Sequence, residues 1–227
     1  MSQPFVSIAL MIFQLRCAGC DAPGQAVCTT CRFALLGPSP KLAAHGVRAV
    51  LPFTGRAREV VLGLKYRNRR QVARHLAGLV VNAVVANGDH RGVDLVTWAP
   101  TSTQRRRSRG FDQAELVASH VARQLGIPCR RLLERDPNRG AQTGRTRVER
   151  LRGPAFHARP GLDGRRILVL DDVVTTGATM GAARAALEHQ GAEQVLLYAV
   201  ASTPAGSIGV QRPAARHLHL VDHGVAA

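Results

Sequence analysis

Short apolar runs alternate with helix-patterned stretches between residues 45 and 204, and two cysteine pairs precede them. Together these predict an α/β fold built on a parallel sheet, with a small N-terminal cysteine module. Val47 to Phe53 reads as the first strand. Ala57 to Val85 reads as helix, broken near Asn68. Asp94 to Ala99 reads as a strand ended by Pro100. Asp112 to Leu125 is an amphipathic helix, with Asp112 as N-cap, Glu115 three residues on as a capping-box partner, and Gly126 as its stop. Arg135 to Gly153 is polar, Arg-rich and glycine-containing, and reads as a long loop. Ile167 to Leu170 is a short continuous apolar run, as a strand buried on both faces requires. Met180 to Gln190 reads as helix, stopped by Gly191, and Gln194 to Ala201 as a last strand.

The organisation follows. Residues 1–44 form the cysteine module and end in the connector Gly37-Pro38-Ser39-Pro40. Residues 45–204 form the main domain, and residues 205–227 a loosely packed tail. The apolar stretch Pro4 to Leu15 is too short to span a membrane. It has no basic residue before it and no small-residue cleavage site after it, so it does not read as a signal peptide. The expected location is the cytoplasm.

The formal net charge is +16, carried almost wholly by arginine. Residues 54–75 hold seven basic residues and one acid, and residues 101–153 hold thirteen arginines and five acids. These stretches contribute +6 and +8 of the total. Clustered arginine points to a polyanionic partner, either a phosphorylated small molecule or nucleic acid.

The chemistry concentrates after the Ile167–Leu170 strand. Asp171 and Asp172 stand where that strand should end, followed by Val173 and Val174, the small polar run Thr175-Thr176-Gly177-Ala178-Thr179, and a helix. Ligands of open α/β sheets bind beyond the carboxyl ends of strands. A helix N-terminus offers free N–H groups and a positive dipole end, and small residues let backbone wrap a phosphate. Two adjacent carboxylates accept from a pair of sugar hydroxyls and can hold the waters of Mg²⁺. A phosphate cradle beside two acids suits a ribose 5-phosphate. The run is neither a P-loop nor a dinucleotide fingerprint.

The full pattern resembles the phosphoribosyl-pyrophosphate (PRPP) signature of type I phosphoribosyltransferases. The wider order is more specific. Two Cys-x-x-Cys pairs are followed by Gly63-Leu64-Lys65-Tyr66, then Arg107-Ser108-Arg109-Gly110-Phe111-Asp112-Gln113-Ala114-Glu115-Leu116, then Gln142-Thr143-Gly144-Arg145-Thr146-Arg147, then the acid-pair loop. Over roughly Phe13 to Thr203 this is similar to the ComF family, the competence-associated phosphoribosyltransferase-like proteins of bacteria. It departs at Asp112, where the family usually has Asn, and at Trp98-Ala99-Pro100, where it usually has Pro-Val-Pro. The resemblance implies the type I phosphoribosyltransferase fold, PRPP held by Asp171, Asp172, Val173, Val174, Thr175, Thr176, Gly177, Ala178 and Thr179, and the two acids as the catalytic pair.

Cleaving PRPP builds negative charge on diphosphate, which positive donors in a dry site stabilise. Lys65, Arg105, Arg107 and Arg109 are the expected clamp, with Arg145 and Arg147 on a closing lid. In purine-type enzymes an acid often follows the Asp-Asp-apolar-apolar run as general base. Here Thr175 stands in that place and cannot serve, so the acceptor is not legible. The resemblance also implies a second role in uptake or recombination of transforming DNA, on single-stranded DNA or with a helicase partner. Scarce aromatics count against a dedicated single-strand platform.

Cys17-x-x-Cys20 and Cys28-x-x-Cys31 have the spacing of a tetrathiolate Zn²⁺ site, structural because four thiolates leave no open position. A disulfide pairing is disfavoured in a reducing compartment. Cys129 stands alone and reads as a buried core residue.

Overall fold

The computed structural model describes residues 15–36, 41–42, 44–66, 69–136 and 154–204. The expected lid, with Arg145 and Arg147, and the expected tail lie outside these residues. The elements are α1 (Thr29–Phe33), β1 (Lys41–Leu42), β2 (Arg48–Pro52), α2 (Gly55–Tyr66), α3 (Val72–Ala86), β3 (Leu95–Trp98), α4 (Thr103–Arg109), α5 (Gln113–Leu125), β4 (Leu133–Arg135), β5 (Phe156–Ala158), β6 (Arg166–Val174), α6 (Ala178–His189) and β7 (Gln194–Ser202).

The main sheet runs β1-β2-β7-β6-β3. β2, β7, β6 and β3 are mutually parallel, and β1 lies antiparallel on the β2 edge. Both faces are covered, which explains the unbroken apolar runs. Alternate residues of one strand enter different cores. Leu168 and Leu170 join Leu64, Leu76, Val117 and Val121 beneath α2, α3 and α5. Ile167 and Val169 join Met180, Ala183 and Leu187 beneath α6. The same alternation divides Tyr198 and Val200 from Leu197 and Ala199.

Three elements differ from the sequence expectation. β6 does not end at Leu170. It continues through both aspartates, and Asp171 pairs with Ala199 and Val174 with Ser202. Pairing with the long β7 pulls the acids into the ladder. The residues after β3 are not simply a strand-end loop, because Thr103–Arg109 is helical. Its signals are a Ser102 side chain that accepts from Arg105 N–H and a left-handed Gly110 (φ +75°) as C-cap. Finally, β4 and β5 form an antiparallel pair at the two ends of the expected long loop. Cys129 is half-buried, its backbone bridging to Val96.

The four-cysteine module is packed into the main core. Cys17, Ala18, Val27, Cys31 and Leu35 share one cluster with Leu51, Ala57, Val60, Val61 and Leu64. Arg56 donates to the Gly19 carbonyl, and Arg69 donates to the Cys17 carbonyl and pairs with Asp21.

Candidate functional site

The carboxyl ends of β2, β3, β6 and β7 open on one side of the sheet, and a cleft of about 500 Å³ lies there. The rim is built at and near the strand ends: Phe53 after β2, Ala99 to Thr101 after β3, Asp171 and Asp172 in the last rungs of the β6 ladder, and Thr203 after β7. Register holds this rim together. Ala99 N–H donates to the Leu170 carbonyl at 3.0 Å, Phe53 N–H to Ser202 at 2.7 Å, and Thr203 N–H to Val174 at 3.0 Å.

Asp172 is ion-paired with Lys65 from α2, Nζ to Oδ2 3.0 Å, and both side chains are 15% exposed. Asp171 lies beside it and accepts the Asp172 backbone N–H at 2.7 Å. Burial and the neighbouring Asp172 charge push the Asp171 carboxyl well above the usual carboxylate range, against the pull of that N–H and of Lys65. The cleft floor carries two carboxyl groups and one ammonium.

The acid pair leads into the loop expected to take phosphate. Thr175 and Thr179 line the cleft. Gly177 adopts φ +77° at the N-cap of α6, a left-handed turn that a residue with Cβ would strain. Gly177 has no side chain to cap the helix, but Thr176 Oγ1 accepts from its first N–H, Ala178, at 3.3 Å.

Facing the loop is α4 with the start of α5. Arg105 and Arg109 line the cleft, as does Arg135 from β4. Arg109 is held by Gln113 Oε1 at 2.8 Å and donates to the Tyr66 hydroxyl at 3.1 Å, with its guanidinium 4.9 Å from the ring centre. Arg107 is exposed on α4 and is not among the lining residues. Of the expected clamp, Lys65, Arg105 and Arg109 come together. Phe53, Tyr66, Gln113, Arg135 and Thr203 were not anticipated as lining. Tyr66 and Gln113 stood in the quoted motifs, and Phe53 and Thr203 were findable only as strand ends.

Asp112 builds this wall. Its Oδ1 accepts from Ala114 N–H at 3.0 Å and Glu115 N–H at 3.4 Å, and its Oδ2 from Thr101 N–H at 2.8 Å. One side chain thus caps α5 and fixes the strand-to-α4 turn. Burial raises its carboxyl despite these donors. Asp112→Ala orphans three N–H groups, and we expect a loss of about 1–3 kcal/mol in a urea titration. Asp112→Asn keeps the Oδ1 cap but puts an amide against Thr101, so it should fall between.

The four cysteine sulfurs lie within 4.8 Å of one another, with Cys20 and Cys28 at 3.6 Å. A zinc tetrahedron with Zn–S of about 2.3 Å has edges of about 3.8 Å, so the set fits the metal. Cys17 Sγ accepts N–H from Gly19 at 3.4 Å and Cys28 at 3.3 Å. Burial raises this thiol, but N–H donors from Cys28, Cys20 and Gly19 outweigh it and lower its pKa to about 6. Of Cys17 and Cys31, these donors favour the thiolate at Cys17, while burial and the neighbouring thiols push Cys31 up.

Residues 112–224 match the model of the phosphoribosyl transferase domain. Over 194 residues the chain is 26% identical to DNA utilization protein YhgH of Salmonella typhimurium, covering 82% of this chain and 84% of that one. Over 149 residues it is 28% identical to DNA utilization protein YhgH of Escherichia coli O6:H1, covering 62% and 64%. It is also similar to the solved purine phosphoribosyltransferase of Pyrococcus horikoshii, at 14% identity and a TM-score of 0.37, covering 56% of this chain and 83% of that one. Among the described residues, no helix is long and apolar enough to cross a membrane. The chain has a parallel sheet covered by helices on both faces, residues 112–224 of it match the phosphoribosyl transferase domain, and a cysteine cluster near its N-terminus fits a small zinc module.

Proposed function

We propose that the cleft binds PRPP with Mg²⁺ and that the chain transfers phosphoribosyl to an acceptor, as a phosphoribosyltransferase-like protein of the cytoplasm. The observation that carries this reading is the convergence of Asp171, Asp172, Thr175, Thr179, Arg105 and Arg109 on one cleft at the strand ends. In this reading the aspartates take the ribose hydroxyls, the loop from Val173 to Thr179 takes the 5-phosphate, and Arg105 and Arg109 face the diphosphate. Lys65 neutralises Asp172 from one side and borders the diphosphate on the other. Mg²⁺ would supply charge neutralisation of the leaving group. Arg145 and Arg147 would complete the clamp. The zinc would be structural, held by Cys17, Cys20, Cys28 and Cys31. PRPP with Mg²⁺ at about a hundredfold its Kd should stabilise the chain by about 2.7 kcal/mol, read as a rise in Tm. Thr176→Val should reduce that rise by removing a phosphate donor. No rise with PRPP and Mg²⁺ would overturn the reading.

A second reading has its own support. Cations stack on two rings that line the cleft, Arg109 on Tyr66 and Arg58 on Phe53 at 5.9 Å, and Arg70 stacks on Phe111 at 4.6 Å beside α4. Tyr66 is 68% exposed. Basic, ring-bearing rims suit single-stranded nucleic acid, and the relatives are named for DNA utilization. A competence role, on single-stranded DNA or with a helicase, would use this rim. Because the rim borders the cleft, single-stranded DNA and PRPP should compete. Neutralising Arg105 or Arg109 should reduce the salt slope of DNA binding by about 0.7 each. Independent binding of the two ligands would place DNA on another surface.

A further inference from the structure

The cysteine knuckle and the cleft meet on one helix. α2 touches the knuckle with its last turns. A Cβ added to Gly63 would lie 2.6 Å from Ala18 Cβ and 3.3 Å from Ala18 backbone. A Cβ on Gly19 would lie 3.2 Å from Val60. Both glycines are bare because knuckle and helix are in direct contact. Arg56 donates to Gly19, and Arg69 clasps Cys17 and Asp21 while its own N–H reaches the Gly63 carbonyl at 3.4 Å. Only two residues beyond Gly63, about 3 Å along the axis, Lys65 meets Asp172, and Tyr66 next to it holds Arg109. The knuckle lines no part of the cleft, yet it seats the helix end that supplies one wall of it.

We propose that the knuckle is a positioning element for the cleft, setting the end of α2 so that Lys65 and Tyr66 meet Asp172 and Arg109. Gly63 and Arg69 are then positioning residues for a ligand neither of them touches. The proposal rests on the reading of the cleft as a PRPP site. It also ties the two halves of the sequence pattern together: the cysteines are needed where the acid pair needs a fixed cation.

The test uses a seat that can be blocked and reopened. In Gly63→Ala the helix gains a better helix former, so any loss comes from pushing the knuckle away. Ala18→Gly removes the opposing methyl. PRPP with Mg²⁺ is titrated by calorimetry into the full chain and its variants, with zinc content and Tm measured on each. Gly63→Ala should raise the Kd for PRPP by about tenfold or more, Ala18→Gly should stay within about threefold of the unmodified chain, and the double variant should return to that range. Arg69→Ala, which opens the clasp and leaves the buried core intact, should also weaken binding, and it decides the matter if Gly63→Ala does not fold. Unaltered affinity in Gly63→Ala and Arg69→Ala, or a loss that Ala18→Gly fails to restore, overturns the brace while leaving the PRPP site standing. Absence of PRPP binding by the unmodified chain overturns both.

Discussion

Replacing Asp171 and Asp172 together with asparagine should abolish the rise in Tm that PRPP and Mg²⁺ produce, and the two single variants should move the ligand-free chain in opposite directions. The loss of response follows from chemistry. A carboxylate accepts two strong hydrogen bonds from adjacent ribose hydroxyls and holds the metal's waters, while an amide presents one acceptor and one donor. The opposite signs follow from geometry. Asp171 sits against another carboxylate in a half-buried position, and burial with the Asp172 charge raises its pKa. The folded chain therefore binds this proton more readily than the unfolded chain, whose carboxyl titrates near about 3.9. The resulting stability is present below that value and is lost as pH rises through the elevated folded pKa. The cost of this carboxyl grows as pH rises, and Asp171→Asn removes it while keeping an oxygen for the Asp172 N–H. The variant should melt about 2–4 °C higher at pH 7.5, the shift that about 1 kcal/mol gives in a chain of this size, and the gain should vanish below about pH 4. Asp172→Asn instead strands Lys65, whose side chain is 15% exposed, and should lower Tm. A wild-type PRPP response in the double variant would remove the acid pair from the site. A lowered Tm in Asp171→Asn at pH 7.5 would refute the electrostatic account.

The sequence was informative where one local pattern decides structure. The apolar run of β6, the Asp112 cap and the Gly126 stop of α5, and the break before α3 all rest on residues close in sequence. α4 escaped because it buries no residue and shows no apolar stripe. Its only marks are Ser102 and Gly110. The end of β6 lies beyond the expected point because two charges normally terminate a buried strand, whereas here Lys65 pairs with Asp172 and β7 still pairs beside them. The site was half legible for the same reason. The phosphate loop and acid pair are contiguous. By contrast, Lys65 meeting Asp172 and Tyr66 meeting Arg109 span 107 and 43 residues. Such pairs depend on the crossover that places α2 over the strand ends. The docking of the knuckle on α2 was equally hidden, since neither Ala18 nor Gly63 carries any local signal of its partner.

Cys17→Ser should strip the metal and destabilise more of the chain than the short knuckle. Purified unmodified protein should carry about one zinc per chain, and the variant close to none. Binding free energies for structural zinc in small peptides run to about 10 kcal/mol or more, most of it expressed as folding. Part of that should appear here as a Tm lowered by more than about 10 °C. The spread of the damage is the more telling part. Cys17, Ala18 and Cys31 lie in the same buried cluster as Val60, Val61 and Leu64 of α2. Arg69 loses a fixed carbonyl at Cys17 when the knuckle opens. Amide exchange should therefore accelerate in Gly55–Tyr66 as well as in the knuckle. It should stay slow in Arg166–Val174 and Gln194–Ser202, whose mutual pairing and α6 cover do not involve the cysteines. Acceleration confined to the knuckle would mean that α2 is seated by β2 and α3 alone. Zinc-free protein with an unchanged Tm would mean that the four thiols hold their shape without metal. Either result would separate the cysteine cluster from the cleft.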